Sequence, residues 1–492
     1  MLEPTATAIF LLTLGALLAA AALFARAGTR VHLPVALVFL ALGMLAGSEG
    51  IGGIPFDDVR FAYRVGIVAL VLILFDGGLN TPVGVVRATI RPAAVLATAG
   101  VVASAALVGV VGHLLGLAWP TALLLGAIVS STDAAAVFSV LRGSGISLKR
   151  RVGATLEVES GINDPLAVIL TVLLTRNLVT PVSLGEWHLY ADVLREFAVG
   201  ALVGAVIGKG GGALLGLLRF PQGGLYPAFT LSLGFLAYGA ATLLHGSGFL
   251  AVYLAGIVVG HGHMPMRASI LRVHDATAWL GQIVMFLLLG LLVFPSELLP
   301  VAGVGLAIAV ALAVVIRPVV VALCLLPFRY RWRESLYVGW TGLRGAVPVI
   351  LATYPVLQVA PGAAQVFNLV FFIAVVNALL PGATIPWVTR RLGLEAETSP
   401  RPPAVLEIES VRPLRGELLS YYVDPLLGLD GITIGELPFP PSSAVTLVVR
   451  GQDLIAARGH TVLEAGDHIY VLAAPEDRDM IHLIFGRAEG DS

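Results

Sequence analysis

The chain carries one cysteine, Cys324, in 492 residues, so neither an intrachain disulfide framework nor an all-cysteine metal site is available to it. Charge is scarce as well: Lys, Arg, Asp and Glu make up 12% of the sequence against 57% hydrophobic residues, and the formal net charge is −1. The first apolar stretch lacks a basic start, opening MLEPTATAIF and running to about Phe24, and is therefore expected to be a retained helix rather than a cleaved signal. The carboxyl-terminal part holds no GxGxxG, and no TVGYG filter sequence occurs anywhere. Nothing points to a nucleic-acid partner, a cofactor or a resident metal.

What is present is apolar length. Runs of 18 or more apolar residues recur from Thr5 to about Val388, each long enough to cross ~30 Å of hydrocarbon as a helix. The fold class expected is an all-α polytopic membrane protein with about thirteen membrane-crossing helices. They fall near residues 4–25, 32–48, 61–79, 92–115, 120–141, 151–175 and 195–218, then near 226–244, 247–261, 275–294, 300–326, 335–357 and 365–389. Odd-numbered loops carry fourteen Arg and Lys residues against four in and beside the even-numbered ones. The positive-inside rule then puts the odd loops in the cytoplasm of a prokaryotic inner membrane, with the N-terminus outside and everything after span 13 inside.

Composition changes abruptly after Arg391. The domains expected are a membrane domain over 1–391, a Pro-bearing linker over 392–403 (LGLEAETSPRPP), and a small α+β cytoplasmic domain over 404–488. Within that domain AVTLVVRGQDLIAARG alternates around a Gly-Gln-Asp turn and reads as a hairpin, while HIYVLAAPEDRDMIHLIFG gives a strand and then a short helix.

The membrane domain contains charges that hydrocarbon would reject. An ionised side chain at the bilayer centre costs at least ~2.5 kcal/mol, so each calls for a purpose. Span 5 contains VSSTDAAAV with Asp133 midway, where Ser and Thr side chains can satisfy opened backbone. Span 12 contains GWTGLRGAVPV, where Gly342, Gly345 and Pro348 bracket Arg344. Two interrupted segments seven spans apart are what the inverted repeats of a secondary transporter predict, with two broken helices crossing at the midplane. The acid of one and the arginine of the other would compensate the exposed helix ends. Span 6 reads TLEVESGINDPLAVIL, placing Ser160 and Asp164 four apart on one face and Glu159 and Asn163 on the adjacent one. Span 3 ends in LFDGGL with Asp76, and span 11 carries Arg317 in IRP, a buried cation that needs a carboxylate partner. The acids outnumber the arginines. An oxygen-rich, net-anionic centre suits protons or a hard monovalent cation.

LFDGGL, STDAAAV, ESGIND, IRP and GLRGAVP, in this order, resemble the monovalent cation/proton antiporter branch of the sodium/proton exchanger superfamily over roughly residues 1–390. The stretch from GITIGELPFP onward resembles the C-terminal subdomain of regulator of potassium conductance (RCK) proteins. The resemblance implies a homodimeric antiporter exchanging K+ (or, as the alternative, Na+ or Li+) for H+. It also implies that Asp164 binds cation and proton in turn. Thr132 would offer its carbonyl, Asp133 and Ser160 would complete the coordination, Asn163 would precede the binding acid as in electroneutral members, and Asp76 would lie at the edge. Glu159 and Arg317 would be a structural ion pair. The sequence departs from the sodium exchangers at Asp76, where they carry Glu, and at the extra acid Glu157.

Blander readings accompany these. Asp133 could be a helix cap, Arg344 a neutraliser of helix ends, and Glu157 a solvated vestibule acid drawn to Arg150 and Arg151. Lys209 is expected to snorkel or line a subunit contact. His113, His245, His261 and His263 read as loop histidines at helix ends. The soluble domain would bind a small cytoplasmic ligand or serve assembly alone. Two other classes remain as alternatives: a cation channel, and an intramembrane aspartyl protease, whose GxGD context is absent.

Overall fold

The computed structural model describes residues 3–30, 34–81, 83–180, 187–218, 220–262, 264–396, 416–424, 428–486 and 488. The chain divides into two compact units, one of Met1–Met264 with Ile270–Ala396 and one of Pro265–Ser269 with Glu397–Ser492.

The first unit is helical throughout. It opens with α1 (Glu3–Arg30), α2 (Val35–Ala46), α3 (Val59–Asn80), α4 (Val83–Val95) and α5 (Val101–Leu114). Next come α6 (Trp119–Val129), α7 (Ala134–Gly143), α8 (Arg150–Val179), α9 (Trp187–Leu217), α10 (Leu225–Leu243) and α11 (Gly248–His261). It closes with α12 (Arg267–Leu291), α13 (Pro295–Leu298), α14 (Ala302–Ala311), α15 (Arg317–Leu325), α16 (Trp332–Trp340), α17 (Ala346–Leu357), α18 (Ala363–Asn377) and α19 (Ala383–Arg391). Helix occupies every place where the sequence predicts a span.

Among the described residues eight helices are long and apolar enough to cross a membrane, or nine if the bent pair α6 and α7 is one span. The difference from thirteen lies in α2, α10, α11 and the interrupted pair α16 and α17; Val35–Ala46, Gly248–His261 and Ala346–Leu357 are apolar but short. Short apolar helices are tolerable where protein rather than lipid surrounds them. On α11, Gly256 lets the backbone approach α3 so closely that a side chain there would run into the Phe75 carbonyl and Gly78.

Two interruptions stand out. The four residues Ser130, Ser131, Thr132 and Asp133 separate α6 from α7, which are bent by 45°. Thr341–Gly345 likewise separates α16 from α17. Each lies where the hydroxyl or glycine content of the sequence favours opening. Among the described residues π-helical turns interrupt three further spans, at Leu96–Gly100, at Leu312–Ile316 directly before Arg317, and at Ala378–Gly382.

Residues 392–396 belong to the helical unit rather than to a linker: Lys149 N–H donates to Leu394 O at 2.9 Å, Ala396 N–H to Ser147 O at 2.8 Å, and Leu394 is buried. The remainder of the expected linker, and residues 404–415 of the expected soluble domain, lie outside the described residues.

The second unit holds β1 (Glu417–Tyr422), β2 (Ala444–Arg450), β3 (Asp453–Ala456), β4 (His468–Ala473) and α20 (Arg478–Phe485). The sheet order is β1-β4-β2-β3 with every neighbouring pair antiparallel. The predicted hairpin is β2 to β3, pairing Arg450 with Asp453 around Gly451, whose φ of 60° suits glycine. Val448, Leu463, Ile469, Val471, Ile481 and Phe485 form its core. Asp467, fully buried, is held in a fork by Arg450 Nε at 2.8 Å and Nη2 at 2.9 Å.

Candidate functional site

The two interruptions are hydrogen-bonded to each other. Asp133 N–H donates to Leu343 O at 2.8 Å, so an opened group of one break is satisfied by the other. Arg344 Nε donates to Val129 O, the last carbonyl of α6, at 2.8 Å, and Arg344 Nη1 donates to Gly342 O. Asp133 Oδ1 accepts from Ala136 N–H at 3.0 Å and so caps the start of α7. A guanidinium at a helix C-terminus and a carboxylate at a helix N-terminus are the arrangement the helix dipoles favour. Gly345 leaves room for Asp133; any side chain at 345 would overlap its carboxylate.

One face of α8 closes over the first break through three side chains. Ser131 Oγ donates to Asp164 Oδ1 at 2.5 Å, Ser160 Oγ to Thr132 O at 2.9 Å, and Asn163 Nδ2 to Thr132 Oγ1 at 2.6 Å. Ala134 N–H adds a longer bond to Ser160 Oγ at 3.3 Å. Asp164 is 5% exposed and Asn163 0%. The partner of Asp164 is a hydroxyl, not a cation, so the carboxylate is withdrawn from water without being locked into a salt link. Asp133 lies within Coulombic range of it.

Glu159 and Arg317 form a fully buried ion pair, as the resemblance implied, with Arg344 in Coulombic range. Among the described residues Glu159 Oε2, Arg317 Nε and Nη1, and Arg344 Nη2 have no hydrogen-bond partner. The centre therefore assembles three acids, Asp133, Glu159 and Asp164, with two arginines.

Other expected residues fall elsewhere. Asp76 is half-buried and its Oδ1 accepts from Asn80 Nδ2 at 3.0 Å along its own helix; among the described residues no hydrogen bond joins it to the Asp164 cluster. Glu157 is not drawn toward Arg150 and Arg151. Its Oε1 accepts from Thr81 Oγ1 at 2.8 Å, while Arg151 bonds Phe328 O and stacks 3.9 Å over the Tyr330 ring, because the end of α3 is nearer than the arginines one to two turns back. His113 stacks on Trp119 at 4.3 Å, His245 and His261 stand at helix ends, Lys209 is exposed, and His263 lies outside the described residues.

Three residues escaped sequence reasoning. Ser131 belongs to the run whose hydroxyls are expected to satisfy opened backbone, yet it reaches Asp164. Thr81 sits one residue beyond α3 and carries no motif. His274 is 0% exposed and meets Thr230 Oγ1 at 2.8 Å, a placement that the polar run RVHDAT did not signal.

Comparison with known proteins bears on this geometry. The family described as "Sodium/hydrogen exchanger, transmembrane" matches residues 14–391, and the TrkA-C domain matches residues 418–486. The K(+)/H(+) antiporter NhaP2 of Shewanella sp. (strain ANA-3) is 41% identical over 483 residues, covering 96% of this chain and 83% of that protein. The K(+)/H(+) antiporter NhaP of Alkalimonas amylolytica is 40% identical over 468 residues, covering 94% and 80%. The Na(+)/H(+) antiporter NhaS2 of Synechocystis sp. (strain ATCC 27184 / PCC 6803 / Kazusa) is 32% identical over 340 residues, covering 66% and 61%. Among solved structures, the sodium proton antiporter MjNhaP1 from Methanocaldococcus jannaschii at pH 8 superposes with a TM-score of 0.68 at 22% identity, covering 77% of this chain and 97% of that one, a likeness of fold.

Proposed function

The chain belongs to the sodium/hydrogen exchanger family and is a cation/proton antiporter, and on that premise we propose that it exchanges K+ for H+ one to one, cation and proton competing for the Asp164 carboxylate. The observation that carries this reading is the seat of Asp164: 5% exposed, bonded to the Ser131 hydroxyl, and facing unwound backbone rather than a fixed cation.

The chemistry follows from that seat. A carboxylate withdrawn from water is satisfied by a proton or by a metal ion, and either excludes the other. Thr132 O, the Asp133 carboxylate and Ser160 Oγ supply further oxygens, a set suited to a hard monovalent ion. An empty, ionised site is costly to carry through a closed state, so the protein changes its access side only when loaded, and exchange becomes obligatory. Stoichiometry is supported by charge. With Glu159 spent on Arg317, three acids against two guanidiniums leave one negative charge, which one K+ or one H+ neutralises.

Potassium is favoured by the names of the two relatives that span nearly the whole chain; sodium, named for the more distant Synechocystis protein, is the second reading. The TrkA-C unit is read as a cytoplasmic regulatory module that responds to a small ligand, consistent with the basic residues in the odd-numbered loops. A homodimer in a prokaryotic inner membrane completes the reading. Its support is α1, where the window Thr7–Ala25 is only 6% buried and needs lipid or a second copy against it.

The test is a pH-dye assay on the purified protein in liposomes, with K+, Na+, Rb+ and Li+ added in turn. Saturable proton movement driven best by K+, and insensitive to an imposed membrane potential, is the expected result. Potential-dependent flux without proton coupling contradicts it.

A further inference from the structure

Glu157 serves neither the Glu159–Arg317 pair nor the Asp164 cluster, yet it is half-buried inside the membrane domain. It stands seven residues before Asp164 on α8, two turns toward the N-terminal end, so the two carboxylates share a face about 10 Å apart along the axis. Among the described residues its hydrogen-bond partner is the Thr81 hydroxyl, and no Lys or Arg pairs with it. Thr81, 5% exposed, also meets Gly77 O at 2.6 Å, so its one proton is shared between two acceptors.

A second observation points into the same space. Tyr253 of α11 is 4% exposed, and among the described residues its hydroxyl meets no partner of good geometry, Thr81 lying close enough to interact with it. The hydroxyl-bearing end of its ring lies on Gly161, where any side chain would collide with Cζ and Cε1. Gly161 falls between Glu157 and Asp164 on α8. The phenol oxygen is thus held beside Thr81 and within Coulombic range of Glu157. With Thr81 as its neighbour the phenol oxygen keeps acceptor capacity that an occupant can use.

We propose that Glu157, Thr81 and Tyr253 form a second station for a monovalent cation, on the route between the N-terminal end of α8 and Asp164. An incoming K+ exchanges part of its water there for the Glu157 carboxylate and two hydroxyl oxygens, and then moves two turns along α8 to Asp164. All three donors are oxygens and one is anionic, the ligand chemistry of a hard cation. The station deepens the Asp164 reading and rests on it. The α8 N-terminal end faces the cytoplasm by loop charge, so the station acts on cytoplasmic cation alone.

The experiment uses the full chain in vesicles of both orientations, titrating K+ from each face. Glu157→Gln keeps the acceptor for Thr81 and the side-chain volume but removes the charge, so an interhelical hydrogen bond of purely structural value survives it. The expected result is a KM for cytoplasmic K+ raised about tenfold, KM from the other face moved by less than about twofold, and a maximal rate that falls less than KM rises. Tyr253→Phe, which keeps the ring on Gly161, should raise the same one-sided KM about threefold. An unchanged KM, or an equal rise on both faces, overturns the station; should Glu157→Gln fail to fold, an unaltered Tyr253→Phe does so. Asp164→Asn in the same assay separates the two readings: exchange surviving there defeats the Asp164 assignment, whereas silence there with a normal Glu157→Gln defeats only the station.

Discussion

The main-chain N–H of Asp133 donates to the carbonyl of Leu343 at 2.8 Å, which makes the breaks in α6–α7 and α16–α17 one hydrogen-bonded structure rather than two. Asp133 is held there by contact as well, since its carboxylate fills the space above Gly345.

Gly345→Ala should therefore damage the site while leaving the rest of the bundle intact. Overpacking of this kind costs about 1–3 kcal/mol and here displaces a charged group. Exchange should fall at least about tenfold. Hydrogen exchange should quicken in the peptide spanning 129–137 and not in α9 or α10. Normal exchange activity with normal protection of 129–137 would contradict the arrangement.

Glu159 and Arg317 make a different prediction. Arg317→Ala leaves a fully buried carboxylate without a partner and should cost about 3–5 kcal/mol, read as a lower melting temperature in detergent. Replacing both residues by apolar ones of similar size (Glu159→Leu with Arg317→Met) removes one charge of each sign and should recover most of that loss. An unaltered melting temperature in Arg317→Ala argues against the pairing.

Much of this was legible in the sequence, and the reasons differ by element. The i, i+4 pair Ser160 and Asp164 shares a face on any helix, and hydroxyls beside Asp133 or glycines beside Arg344 mark where a helix can open. The hairpin of the second unit followed from alternation around Gly451. Other features depended on distances that pattern does not carry. Which hydroxyl reaches Asp164 is set by how the break unwinds, and it is Ser131 rather than Ser160. Glu157 turns to Thr81 because α3 ends beside α8, a tertiary fact. The first five residues of the expected linker are folded into the helical unit, because the main chain at Ser147 and Lys149 bonds that of Ala396 and Leu394.

Ser131→Ala tests the hydroxyl directly. A donor to a carboxylate supports its ionised form, the form a cation requires. Without it the competition shifts toward the proton, and KM for K+ at fixed pH should rise about tenfold, the effect narrowing as the pH is raised. A KM equal to that of the unaltered protein at every pH would show that the bond is incidental.

For the second unit, Arg450→Ala leaves the buried Asp467 with the Glu464 N–H but no cation, and should loosen the β2–β4 pairing by about 2–3 kcal/mol, seen as faster hydrogen exchange in peptides covering 444–450 and 468–473 of the full chain. Deletion of residues 401–492 should leave a folded transporter whose dependence on pH and K+ is altered, and Arg450→Ala should move that dependence in the same direction. Identical dependence in the truncated protein argues for an assembly role alone.

The account comes down to whether the Asp164 oxygens are the place where metal ion and proton displace each other. Asp164→Asn, reconstituted in liposomes after its folding has been checked by melting, should carry no K+-driven proton movement above empty vesicles. Vigorous exchange by that variant would contradict the account.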